Sequence, residues 1–158
     1  MNEPRFLSQE HDHVHCVEDA LAQAERVCAD RGANLTTLRR RVLQIVWAGH
    51  RPLGAYEILE TMAGDGRRPA PPTVYRALEF LLENGLVHRI ASLNAYAGCA
   101  NPGHTGNGQF LICKQCGIAL ELDDSKVSAA IEQAAASQGF KAENHTVEIG
   151  GTCPHCAA

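Results

Sequence analysis

A leading helix, three core helices and two short strands, and then a strand-rich region bracketed by two C-x-x-C motifs, predict an α+β chain of 158 residues. The first observation predicts an N-terminal winged helix-turn-helix unit. The second predicts a small α/β domain pinned by a structural zinc site. A third observation, the glycine- and asparagine-rich run around 100–108, marks the change of character between them. The expected division is a flexible tail at 1–16, a winged-helix domain at 17–91, a hinge at 92–101 and a second domain at 102–158.

Each element follows from a pattern. A first helix is expected from about Val17 to Arg31, with Ala20, Leu21, Ala24 and Val27 at helical spacing and Gly32 as the stop. A second covers 36–48, capped by Thr36 or Thr37, with Leu38, Val42, Ile45 and Val46 as its buried stripe. His50-Arg51-Pro52 breaks it, and a third runs over about 54–63. Pro71 and Pro72 stiffen the entry to the helix at 72–84, which ends at Asn84-Gly85. Val74, Leu78, Leu81 and Leu82 form its buried face, so Tyr75, Arg76, Glu79 and Glu83 point elsewhere. Leu86–Ile90 and Asn94–Gly98 read as a strand pair. In the second region, Gln109–Cys113, Ile118–Leu122 and His145–Ile149 read as strands and Ser125–Gln138 as a helix, capped by Asp124 or Ser125.

Charge is unevenly distributed. The net value is −4, but residues 31–90 carry 9 basic and 5 acidic side chains, while 1–30 carry 2 and 7 and 91–158 carry 3 and 6. The basic middle coincides with the expected winged helix, where it could meet phosphates. An ordinary solvated surface is the other reading of the same charges. No apolar run approaches the ~20 residues of a membrane span. The polar opening MNEPRFLSQEHDHVHC has no apolar signal core, so a cytoplasmic location is expected.

Seven cysteines in a cytosolic chain point to metal rather than disulfides. Cys113-x2-Cys116 and Cys153-x2-Cys156 are two knuckles that together complete a tetrahedral S4 zinc site with no position left for catalysis. A redox dithiol at Cys153-Pro154-His155-Cys156 is disfavoured, because such dithiols begin a helix and only two residues follow Cys156. Cys28 reads as a small core residue, and His11, His13, His15 and Cys16 as a solvated end or a metal-binding tail. His88, Cys99 and His104 would suit zinc if they converged, a point that periodicity does not decide.

The stretch PPTVYRALEFLLENGLVHRI, with NLTTLRRRVLQIV, GAYEIL and the paired C-x-x-C motifs in the same order, resembles the ferric uptake regulator (Fur) family over about residues 18–156. Within it the chain is most like the zinc uptake regulator (Zur) branch, because the segment before the first knuckle holds only His104. The resemblance implies a regulatory zinc site at His88, Cys99, His104 and Glu121, beside the structural site at Cys113, Cys116, Cys153 and Cys156, hence two Zn2+ per protomer. His145 matches a further ligand position of some relatives. DNA contacts are expected from Tyr75 and Arg76, with Tyr56 and Arg39 at or bordering the phosphate backbone. Leu38 stands where the family's L-T-x-Q-R pattern has glutamine.

What the resemblance implies is a transcriptional repressor, not an enzyme. A homodimer, through its second domain, would bind double-stranded operator DNA when zinc-loaded and control zinc-uptake genes. Neither a membrane nor a small-molecule substrate is expected as partner. Ligands drawn from both domains would let zinc favour the arrangement that fits two half-sites, and DNA would in turn raise zinc affinity. An iron- or other-metal sensor of the same family, and a zinc-stabilised interaction module without DNA binding, are the alternatives.

Overall fold

The computed structural model describes residue 6 and residues 13–66, 68–102 and 107–158. The chain forms two compact units, one within residues 7–103 and one built on residues 104–158 with Phe6. No helix among the described residues is long and apolar enough to cross a membrane.

In the first unit, α1 (His13–Arg31), α2 (Thr37–Trp47), α3 (Ala55–Gly64) and α4 (Pro71–Glu83) precede a hairpin of β1 (Val87–Ile90) and β2 (Ala95–Gly98). Helix α1 starts four residues before the first apolar repeat, since its opening turn, HVHC, adds no buried residue. Thr36 caps α2 by accepting from the Arg39 amide at 3.3 Å. The Glu57 carboxylate accepts from the Gly54 amide at 2.8 Å and closes the start of α3. Val42, Leu43, Ile58, Val74, Leu78 and Leu81 are buried where α2, α3 and α4 meet, and Leu21, Ala24 and Cys28 bring α1 onto that core. Burial raises the pKa of the Cys28 thiol, as suits a small apolar side chain.

The hairpin pairs Val87 with Gly98, His88 with Ala97, Arg89 with Tyr96 and Ile90 with Ala95. Asn94 turns it in the left-handed conformation, φ 46°. Leu53 extends the ladder by exchanging backbone hydrogen bonds with Tyr96 at 3.0 and 2.8 Å. The hairpin lies close against α2: a Cβ added at Gly98 would stand 2.2 Å from Cε2 of Trp47.

The second unit is a three-stranded sheet in the order β4-β3-β5, from β3 (Asn107–Cys113), β4 (Ala119–Leu122) and β5 (His145–Gly151). Strand β3 runs antiparallel to β4 and parallel to β5. Between β4 and β5 lies α5 (Ser125–Ser137), capped by Asp124, whose carboxylate accepts from the Lys126 amide at 2.8 Å. Gln109 is the buried polar residue of β3; its Nε2 donates to the Asp124 carbonyl at 3.0 Å and to Ser128 Oγ at 2.9 Å. That pair of bonds fixes the start of α5 on the sheet. A last turn, α6 (Pro154–Ala157), closes the described chain.

Candidate metal centres and nucleic-acid surface

The four knuckle cysteines converge. Cys113 ends β3, Cys116 lies in the turn that follows, Cys153 precedes α6 and Cys156 sits within it. Their sulfurs all lie within 4.8 Å of one another, with Cys116 and Cys153 at 3.7 Å. A tetrahedral S4 site with metal–sulfur bonds of about 2.3 Å has sulfur–sulfur edges of about 3.8 Å. All four are free thiols, not disulfides.

Backbone geometry prepares the first knuckle. Amides at Cys116 and Cys153 donate to Cys113 and hold its thiol at about 6, well below the usual 9.0; the Cys153 amide is 3.3 Å from its sulfur. Hydrogen bonding from Cys153 and then Cys116, with burial, pushes Cys156 up to about 12. The Ile118 amide pulls Cys116 down, but burial and the contact with Cys113 leave it raised. Without a cation the cluster therefore cannot ionise together; a divalent ion removes that penalty, and the donor set fits zinc.

Cys153 does start a helical turn: the amides of Cys156 and Ala157 both donate to its carbonyl at 3.0 Å. A four-residue turn needs only the residues that follow Cys153, including Cys156 itself, so the two residues beyond Cys156 do not decide against a dithiol. The redox reading fails instead on convergence, because the CPHC sulfurs share one cluster with Cys113 and Cys116. His155 faces outward, and its Nε2 lies 3.3 Å from the Phe6 carbonyl.

A second donor pair lies in the winged-helix unit. The Cys99 amide donates to the Leu86 carbonyl at 3.0 Å, which continues the hairpin ladder by one residue. His88 pairs with Ala97, and residues two apart in a strand share a face, so Cys99 and His88 point the same way. A ring nitrogen of His88 and the Cys99 sulfur lie within 4.8 Å, and Cys99 is only 1% exposed. Glu121 stands on β4 of the other unit, half-buried and opposite Phe110. His104 lies outside the described residues. His145 begins β5, with its Nε2 3.3 Å from Ser128 Oγ.

On α4, Val74, Ala77, Leu78 and Leu81 face the core, while Tyr75 and Arg76 are exposed. Several neighbouring arginines are engaged within the unit: Arg40 with Glu25, Arg41 with Asp65 at 2.6 Å and Arg51 with Glu57 at 2.8 Å. Among the described residues, no hydrogen bond or ion pair occupies the Arg76 guanidinium. Tyr56 on α3 is 69% exposed. Arg39 is committed differently. Its guanidinium lies 3.8 Å over the Phe80 ring and donates to the Asn34 carbonyl at 2.6 Å, so it braces α4 against the entry to α2. A cavity of about 190 Å³ between these helix starts is lined by Thr36, Leu38, Arg39, Thr73, Arg76 and Ala77.

A winged helix joined to an α/β unit with a four-cysteine metal centre defines a class of metal-dependent DNA-binding regulators. Comparison with known proteins narrows the class. The sequence profile described as "Ferric uptake regulator family" matches residues 30–150. The chain is 37% identical over 142 residues to the "Zinc uptake regulation protein" of Escherichia coli (strain K12), which spans 88% of this chain and 82% of that protein. It is similar to the crystal structure of holo XcZur, with a TM-score of 0.81 and 39% identity over 88% of this chain and 97% of that one. It is also similar to the structure "Zinc Uptake Regulator Complexed With Zinc AND DNA", with a TM-score of 0.83 and 35% identity over 89% and 95%. The chain belongs to the ferric uptake regulator family.

Proposed function

We propose that this protein is a zinc-responsive transcriptional repressor that binds operator DNA as a homodimer when zinc-loaded and controls zinc-uptake genes. The observation that carries the reading is the His88–Cys99 pair, a thiol and an imidazole within 4.8 Å on one face of the wing. Soft and borderline donors of this kind favour zinc over a hard, oxygen-preferring ion. The similarity to zinc uptake regulation proteins supports the same branch.

In this reading Cys113, Cys116, Cys153 and Cys156 hold a structural zinc, and His88, Cys99, His104 and Glu121 hold a regulatory one, two per protomer. Zinc at the second set supplies a cross-link whose occupancy and DNA affinity are coupled by linkage. The remaining steps belong to the chain. Tyr75 and Arg76 enter the major groove from α4, with Arg76 free to make a bidentate contact to a purine. Tyr56 meets the phosphate backbone. Arg39 borders it while holding α4 in place through Phe80. Residues 17–91 act as the DNA-binding domain, 92–101 as the hinge and 102–158 as the dimerisation domain. Dimerisation is supported by the surface of the second unit: α5 has no buried residue, and Phe140 and Ile149 are 66% and 47% exposed. The protein works in the cytoplasm, on DNA, with neither a membrane nor a small-molecule substrate as partner.

Fluorescence anisotropy of a zinc-uptake promoter fragment, across buffered free zinc and in parallel with iron and manganese, tests the reading. Specific binding driven by zinc supports it. Specific binding driven by iron or manganese makes the protein another metal's sensor. Absence of specific binding with every metal leaves a zinc-stabilised interaction module.

A further inference from the structure

The histidines near the start of the chain are not used by either metal centre, yet one of them meets a distant partner. His13, in the first turn of α1, packs against His50, in the turn that follows α2. Their ring centroids are 4.5 Å apart with the planes inclined at 49°. Nδ1 of His13 and Nε2 of His50 are both shielded from solvent. Both residues belong to the winged-helix unit, so the contact is made within one compact body.

We propose that His13 and His50 form a third metal site, a bis-imidazole site for a divalent transition ion of the zinc, copper or nickel type. Neutral imidazole is the ligand these ions share. The donor nitrogens of two ligands on a tetrahedral ion with bonds of about 2.0–2.1 Å lie roughly 3.3 Å apart. Binding requires the two rings, 4.5 Å apart at their centroids, to turn until one nitrogen of each meets the ion. With two protein donors instead of four, the site is weaker than the four-cysteine centre and fills at higher free metal. The two ligands come from elements far apart in sequence. Occupancy therefore ties the start of α1 to the α2–α3 connection, the segment whose Leu53 pairs with Tyr96 of the wing. A ligand that binds the folded unit and not the unfolded chain stabilises that unit.

The test is a calorimetric zinc titration of full-length protein already holding its tighter ions, with histidine ring resonances followed by NMR. One further equivalent is expected, moving the His13 and His50 signals together. His13→Gln and His50→Gln should each abolish that event, and the double variant should do no more than either. His50→Asn serves as a second removal of the same ring should His50→Gln perturb the turn. His15→Gln, which removes a neighbouring ring 79% exposed at its side chain, should retain the event. Retention in both His50 variants, its loss in His15→Gln, or no further equivalent up to millimolar zinc would overturn the proposal.

Discussion

Gly98→Ala is the substitution on which the geometry of the wing makes its sharpest demand. The added Cβ would stand 2.2 Å from Cε2, 2.4 Å from Nε1 and 2.7 Å from Cδ2 of Trp47. Ordinary carbon contact is about 3.5 Å, so the indole or the strand must move by more than 1 Å. The indole packs against the core. The strand is held by the Leu53–Tyr96 pair and by the Cys99 amide on the Leu86 carbonyl. Overpacking of this kind costs about 1–3 kcal/mol. The sign is diagnostic, since Ala in a strand interior otherwise gains about 0.5–1 kcal/mol over Gly. We expect a net loss of about 1 kcal/mol, roughly 5-fold in the folding equilibrium and a Tm lowered by about 5 °C for a unit of this size. Zinc affinity should fall as well, because Cys99 follows directly. Thermal and urea unfolding of Gly98→Ala, alone and with Trp47→Leu, would measure it. The double variant should recover most of the loss that Gly98→Ala causes in the native background. An unchanged or raised Tm, or strict additivity with Trp47→Leu, would refute the packing argument.

Three further outcomes follow from the sites. Arg76→Ala should weaken operator binding by about 1–3 kcal/mol and relax specificity at its base while leaving Tm unchanged; anisotropy against matched and mismatched operators checks this. Cys113→Ser should lose the tightly held zinc and unfold the second unit, since structural zinc contributes ~10–16 kcal/mol in small zinc domains; metal analysis and circular dichroism decide it. Affinity of the four-cysteine centre should rise with pH because Cys156, pushed up to about 12, must lose its proton to bind. Cys113 is depressed to about 6, so it is already thiolate above that value and competes for a proton only below it. Chelator competition between pH 5.5 and 8 should therefore give a plot of log affinity against pH that steepens below about 6; a flat plot would contradict the thiol assignments.

Local pattern carried much of this in the sequence. The α4 repeat of Val74, Leu78 and Leu81 names its own buried face, and the paired knuckles name a metal centre, because both signals are short-range and chemically specific. Leu82, assigned to the same face, is half-buried at its edge. What could not be read is tertiary. Nothing in LTTLR announces that Arg39 would stack on Phe80 of α4. The HVHC turn has no apolar repeat, so the start of α1 was invisible to periodicity. Trp47 against Gly98, and His13 against His50, are contacts between elements that no spacing rule relates. The convergence of His88 and Cys99 lies between these cases: it follows from strand alternation once the hairpin register is known, and the register came only with the structure.

The central claim is that the His88–Cys99 pair makes DNA binding depend on zinc. Its most direct test is operator binding by anisotropy against buffered free zinc, for the native chain and for Cys99→Ser side by side, with the four-cysteine zinc retained in both. A zinc-dependent rise is expected for the native chain and none for Cys99→Ser, which should stay folded. A Cys99→Ser protein that still switches on at the same free zinc would contradict it.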